Sequence, residues 1–222
     1  MTGPVLAGRM PGVHLDDRGK KQAQAIAARI GTVPFARIVS SPLERCKETA
    51  SYVAGAAPGG KAKVTLDRRL LECDYGDWTG KEIKHLAKDP LWPIVQAHPS
   101  AATFPAGESM ASMQARAVAA VRDHNAELGS DDVWLACSHG DVIKAIIADA
   151  LGMHLDLFQR IQVDPCSISI IRYTALRPFV LRLNDTGGTL DSLQPPPPGK
   201  KTSKSKRQSS DAVVGGGAGS TR

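Results

Sequence analysis

Between Arg18 and Ile30 the apolar positions Ala23, Ile26, Ala27 and Ile30 recur three and four apart, the spacing that gathers them on one face of a helix. Asp16 or Asp17 suits its cap and Gly31 its stop. The run Ala36-Arg-Ile-Val-Ser then reads as a short buried strand. It leads into Ser41-Pro42, where Ser41 suits a helix cap and Pro42 a first helical position. The helix that follows carries Leu43, Arg45, Cys46 and Thr49 and ends among the small residues from Ala54 to Gly60. Lys63-Val-Thr-Leu predicts a second strand.

Residues 70–80, Leu-Leu-Glu-Cys-Asp-Tyr-Gly-Asp-Trp-Thr-Gly, are too polar and too broken by glycine for a strand. Short helical patterns follow near Glu82 to Ala87 and Leu91 to Ala97. A longer helix is predicted from about Ser109 to Leu128, with Met113, Ala117, Ala120 and Val121 at helical spacing. Asp132-Val-Trp-Leu-Ala-Cys is a third strand, joined to a helix starting near Asp141 by only Ser138, His139 and Gly140. Two β-rich runs, 167–173 and 179–183, read as a closing hairpin. Strands alternating with helices predict a three-layer α/β/α fold around a mostly parallel sheet with an antiparallel edge.

Composition bounds this picture. A chain of 222 residues, 42% of them apolar, can bury one sizeable core. The formal charge of +6 suggests nucleic acid until it is located: from Pro195 onward, Lys200, Lys201, Lys204, Lys206, Arg207 and Arg222 face a single acid, Asp211. The body is therefore close to neutral. Residues 191–222, rich in Pro, Lys and Gly, read as a disordered tail, and 1–190 as one domain; nucleic-acid binding by the tail is disfavoured. Cys46, Cys73, Cys137 and Cys166 form no Cys-x-x-Cys pair, which argues against a zinc knuckle or a thioredoxin-type site. No run of about 18 apolar residues predicts a membrane span, and the first residues lack a signal-peptide pattern. The expected setting is cytoplasmic.

Candidate chemistry lies where strands run into helices, because helix N-termini there offer free N–H groups and a positive dipole end. Arg45 follows the strand at Ile38-Val39, and a guanidinium binds two phosphate oxygens without losing its charge. His139 follows Leu135-Ala136-Cys137. Glu72 sits in the glycine-broken segment, where Leu71, Tyr75 and Trp78 can pin the loop and desolvate its carboxyl, so that it holds a proton to donate. Singly, each also has a plain reading as a surface arginine, a structural histidine and a solvated loop acid.

In order along the chain, Ser40-Ser41-Pro42-Leu43-Glu44-Arg45-Cys46-Lys47-Glu48-Thr49-Ala50, then Leu71-Glu72-x-x-Tyr75-Gly76-x-Trp78-x-Gly80, then Ser138-His139-Gly140 resemble the histidine phosphatase superfamily, also called phosphoglycerate mutase-like. Leu15-Asp16-x-x-Gly19-x-x-Gln22-Ala23 is similar to the segment after that family's first loop. The similarity covers about residues 5 to 185, and its nearest branch is that of acid phosphatases and phosphomutases. The resemblance implies a phosphohistidine mechanism on a small phosphorylated substrate, with no cofactor and no metal. Arg45 would clamp the phosphoryl group, His139 would stabilise its developing charge, and Glu72 would act as proton donor and then base. Arg9, Tyr75 and Gly140 would line the substrate.

The family carries its nucleophile in an Arg-His-Gly motif at the end of a first, central strand, and residues 1–14 contain no such motif. The expectation is a sheet lacking that strand of ~5 residues, with unpaired backbone groups and an apolar slot in its place. Two accounts are open: a longer natural protein with an earlier start, or an inactive phosphatase-fold relative that binds a phosphorylated ligand. A homodimer is left open as well.

Overall fold

A computed structural model describes residues 5–59 and 62–188. The tail predicted for 191–222 lies outside the described residues, as does any domain boundary near 190.

Helix α1 spans Asp17–Ile30, with the Asp16 side chain accepting from the Gly19 N–H at 2.7 Å and Gly31 as C-cap. It buries Ala23, Ile26 and Ala27. Strand β1 (Arg37–Ser40) is central in a parallel sheet of order β2-β1-β3, between β2 (Val64–Leu66) and β3 (Trp134–Cys137). Its alternation sorts the layers: Ile38 packs with Ile26, Ala27, Ala50 and Val53 of α1 and α2, while Val39 packs with Leu70 and Ala120. Helix α2 spans Glu44–Ala56.

The other face carries α5 (Met110–Ala126), capped by Ser109, and α6 (Gly140–Ala150). Two short helices, α3 (Ile83–Leu86) and α4 (Trp92–Ala97), bury Leu86, Trp92 and Val95 against the same core. Strands β4 (Ile168–Tyr173) and β5 (Pro178–Asp185) form an antiparallel hairpin with irregular register around Ile170.

The predicted α/β order holds element by element, with one correction. Helix α2 does not begin at Ser41-Pro42. Its N-cap is Leu43, without a side-chain cap bond, and the Ser41 hydroxyl lies 3.4 Å from the Leu43 nitrogen, whose N–H it accepts, and 2.8 Å from His139 Nε2.

The hairpin and the parallel sheet are not hydrogen-bonded to each other among the described residues. Between β3 and β4 lies a cavity of about 300 Å³ walled by side chains of α1, α2, α5 and α6. Its lining is mainly apolar, with Ile26, Val53, Ile143 and Ile147 among the wall residues.

Candidate active site

Adjacent parallel strands fix the site. The register Ser40↔Cys137 ends β1 and β3 side by side, so the helices that follow them start side by side as well. Arg45 lies in the first turn of α2, and His139 is the N-cap of α6 with its side chain free of capping duty. The sequence separates them by 94 positions; the sheet brings Arg45 Nη2 to 3.0 Å from His139 Nδ1.

That contact decides the histidine's tautomer. A guanidinium can only donate, so Nδ1 accepts and carries no proton. Nε2 then holds the ring hydrogen and donates it to Ser41 Oγ at 2.8 Å. Burial, then the charges of Arg45, Arg116 and Arg9, hold the imidazole well below its usual pKa, so His139 is a neutral donor at pH 7. Arg45 Nη2 also donates to the Gly8 carbonyl at 2.9 Å, while its Nη1 is buried without a hydrogen-bond partner among the described residues.

Glu72 is 3% exposed. Burial pushes its carboxyl up to about 8, assisted by the charge of Asp141 and opposed by the Cys73 N–H, Arg45 and Arg116. The group is thus mostly protonated at neutral pH, although Oε1 accepts the Cys73 N–H at 2.9 Å. Leu71, Tyr75 and Trp78 are buried and pin the loop. Gly76 makes the turn possible: its φ is +49°, and a Cβ there would collide with the Pro105 carbonyl and the Gly107 nitrogen.

A part-buried ion network underlies this loop. Arg116 donates to both Glu108 oxygens, Oε2 at 2.9 Å and Oε1 at 2.6 Å, and to the carbonyls of Arg69 and Glu72. Burial would raise the Glu108 carboxyl, but Arg116, the Asp74 N–H and Arg9 bring it below its usual range.

The structure brings Arg45, Glu72 and His139 to one place, and it distributes the three predicted lining residues differently. Arg9 points into the loop, donating to the Glu72 carbonyl (2.8 Å), Asp74 (3.0 Å) and Glu108 (2.8 Å). Tyr75 is fully buried, with its hydroxyl donating to Asp141 Oδ2 at 2.7 Å; burial first and the nearby acids second raise its pKa. Gly140 opens α6 and lines the mouth of the slot.

Sequence reasoning missed Ser41, Glu108, Arg116 and Asp141. Arg116 left a signal: it lies three residues after Met113 and four before Ala120, so a charge sits on the apolar face of α5.

Of the six histidines, His139 is the one hydrogen-bonded to Arg45. His14 pairs with Glu48, His124 with Asp67 and Arg37, and His98 and His154 lie beside Asp156; His85 is on α3. No group of side chains that could hold a metal ion occurs among the described residues, and none of the described helices is long and apolar enough to cross a membrane.

Residues 4–186 match the family model of the histidine phosphatase superfamily (branch 1). The chain is 30% identical over 185 residues to phosphoserine phosphatase 1 of Hydrogenobacter thermophilus, covering 81% of this chain and 85% of that one. It is 31% identical over 158 residues to the probable phosphoglycerate mutase GpmB of Proteus mirabilis, with coverage of 70% and 71%. Among solved structures, a mycobacterial glucosyl-3-phosphoglycerate phosphatase matches with a TM-score of 0.74 at 22% identity, over 83% of this chain and 92% of that one. YhfR of Bacillus stearothermophilus gives a TM-score of 0.72 at 27% identity, over 80% and 89%.

Proposed function

Since the chain belongs to the histidine phosphatase superfamily, we propose that it is built for phosphoryl transfer from a small phosphomonoester through a phosphohistidine, with the nucleophilic histidine absent from this sequence. The observation that carries this reading is the Arg45–His139 pair beside a protonated Glu72. Arg45 holds phosphoryl oxygens with its unpartnered Nη1 side. His139, neutral and donating through Nε2, turns from Ser41 to the charge that grows on those oxygens.

In the first half-reaction an imidazole nitrogen attacks phosphorus. A P–N bond forms, the P–O bond to the leaving group breaks, and the Glu72 proton goes to the departing alkoxide. In the second, water or a substrate alcohol attacks phosphorus, Glu72 takes its proton, and the P–N bond breaks. Water gives a phosphatase; an alcohol gives a mutase. The segment 82–108, which carries α3 and α4, caps the site in this reading and sets the substrate, in line with relatives named for phosphoserine and phosphoglycerate.

The test compares two chains on 4-nitrophenyl phosphate. The 222-residue chain is expected to be inert, and one extended at its N-terminus by an apolar strand ending in Arg-His-Gly is expected to turn over. An inert extended chain with Glu72 and His139 intact contradicts the reading.

A second reading rests on the absence of another histidine beside His139 among the described residues: an anion pocket that binds a phosphorylated ligand without turnover. It expects phosphate binding by both chains and hydrolysis by neither.

A further inference from the structure

Nine large apolar side chains stand exposed among the described residues, and five of them belong to the β4–β5 hairpin: Ile170, Leu176, Phe179, Leu181 and Leu183. Leu176, between the two strands, is 85% exposed. The register accounts for part of this. Ile171 and Tyr173 pack against the main core and stand opposite Val180 and Pro178, so the alternate positions Ile170, Arg172 and Phe179 face away from it. Exposed leucines scattered singly need no explanation, whereas five large apolar side chains gathered on one hairpin mark an interaction surface.

The same hairpin is basic. From Ser167 to Leu183 the charged residues are Arg172, Arg177 and Arg182, and the stretch holds no acid. All three are exposed; Arg172 lies over the Phe179 ring at 5.3 Å, and Arg182 reaches Asp185 at 3.5 Å. Further along the sequence, Lys200, Lys201, Lys204, Lys206 and Arg207 fall within eight residues that contain no acid. Fifteen positions separate Asp185 from Lys200, a reach of at most about 50 Å, so this cluster and the hairpin can meet one surface.

The partner must answer both the leucines and the arginines. A second copy of the chain would add a strand to β5, but that edge is broken by register shifts around Ile170 and by Asn184 at φ +50°. Two-fold pairing would also set the arginines of both copies against one another, and Asp185, the nearest acid along the strand, already takes Arg29 and Arg182. Nucleic acid suits the arginines and leaves Leu176, Leu181 and Leu183 without a counterpart. An anionic bilayer supplies an acyl boundary for the apolar side chains and headgroup charge for the basic ones, and it requires no strand ladder.

We propose that the β4–β5 hairpin docks the protein on an anionic membrane surface, with Leu176 and Phe179 entering the headgroup boundary, Arg172 and Arg177 on the anionic headgroups, and the basic cluster at 200–207 adding attraction. Neither signal suffices alone, since a small apolar anchor and a polybasic segment each bind weakly and reversibly. The proposal is independent of the phosphoryl site.

The test is co-sedimentation of the full chain with vesicles of phosphatidylcholine containing about 30% phosphatidylserine, and with vesicles of phosphatidylcholine alone. Binding to the anionic vesicles is expected to be saturable, at least tenfold tighter than to the neutral ones, and weaker as salt is raised from about 0.1 M to about 0.5 M. Leu176→Ser with Phe179→Ser is expected to weaken it at least tenfold, as is Arg172→Glu with Arg177→Glu. Because these side chains are exposed, thermal melts of both variants should match the parent, and the second pair keeps the test valid where the first fails to fold. No preference for the anionic vesicles overturns the proposal. Binding that both hairpin variants retain, and that Lys200→Glu, Lys201→Glu and Lys204→Glu together abolish, overturns it as well, because the hairpin then takes no part. Light scattering without vesicles supplies the last outcome: a dimer that Leu176→Ser with Phe179→Ser returns to monomer assigns the patch to a second copy and contradicts the membrane assignment.

Discussion

Two regions meet at His139 and are built in opposite ways. On the Glu72 side, polar groups are matched: Glu108 accepts from Arg9, Arg116 and the Asp74 N–H, and the guanidinium of Arg116 is spread over Glu108 and two carbonyls. On the β3–β4 side, the two strands stand across an apolar gap with no ladder between them among the described residues. The first arrangement holds Glu72 in one place and keeps it dry, which is what a raised carboxyl pKa needs. The second leaves room beside the same histidine. Close polar matching and open apolar space are thus segregated, one on each flank of Arg45 and His139.

Removing a member of the matched network is expected to cost most. Arg116→Ala takes two hydrogen bonds from Glu108 and leaves it Arg9 and the Asp74 N–H, and urea unfolding should show a loss of about 3 kcal/mol. A loss under about 1 kcal/mol would mean that the network is not a unit.

The unfilled flank should respond weakly to the same kind of insult. Ile38→Ala, in a filled core where Ile38 is 1% exposed, is expected to cost about 3 kcal/mol or more, whereas Ile168→Ala on the slot wall should cost about 1 kcal/mol. Equal losses would place the slot among ordinary packed cores.

Glu72→Gln tests the dry side through pH. The folded pKa of about 8 lies above the unfolded value of 4.5. The folded state therefore binds more protons between them, and stability falls as pH rises through that window. His139, depressed in the fold, acts oppositely, losing stability as pH falls below 6.5, so the net fall is sharpest from about 6.5 to 8. Glu72→Gln should flatten that fall: if nearly equal to the parent at pH 5, it should be more stable by about 3 kcal/mol at pH 8, at roughly 1.4 kcal/mol per pH unit. Thermal melts at the two pH values measure it, and an unchanged slope would assign the fall to another group.

Most elements were legible because their periodicity and caps are local: Asp16 caps α1 and Ser109 caps α5, as their spacing predicts. The exceptions are residues whose partners lie far along the chain. Ser41 reads as a cap until β3 brings His139 to its hydroxyl. Arg9 and Tyr75 read as lining residues, yet their polar ends are taken by Glu72, Asp74, Glu108 and Asp141. The Arg45–Glu72–His139 constellation was legible by resemblance alone, since no spacing rule links positions so far apart.

The account turns on whether Arg45 and His139 form a phosphoryl site. Calorimetric titration of inorganic phosphate into the full chain and into Arg45→Ala tests it most directly. The expected result is saturable binding that weakens at least tenfold in the variant, about 1.4 kcal/mol. Absence of binding by the parent chain, or equal affinity in both, would contradict it.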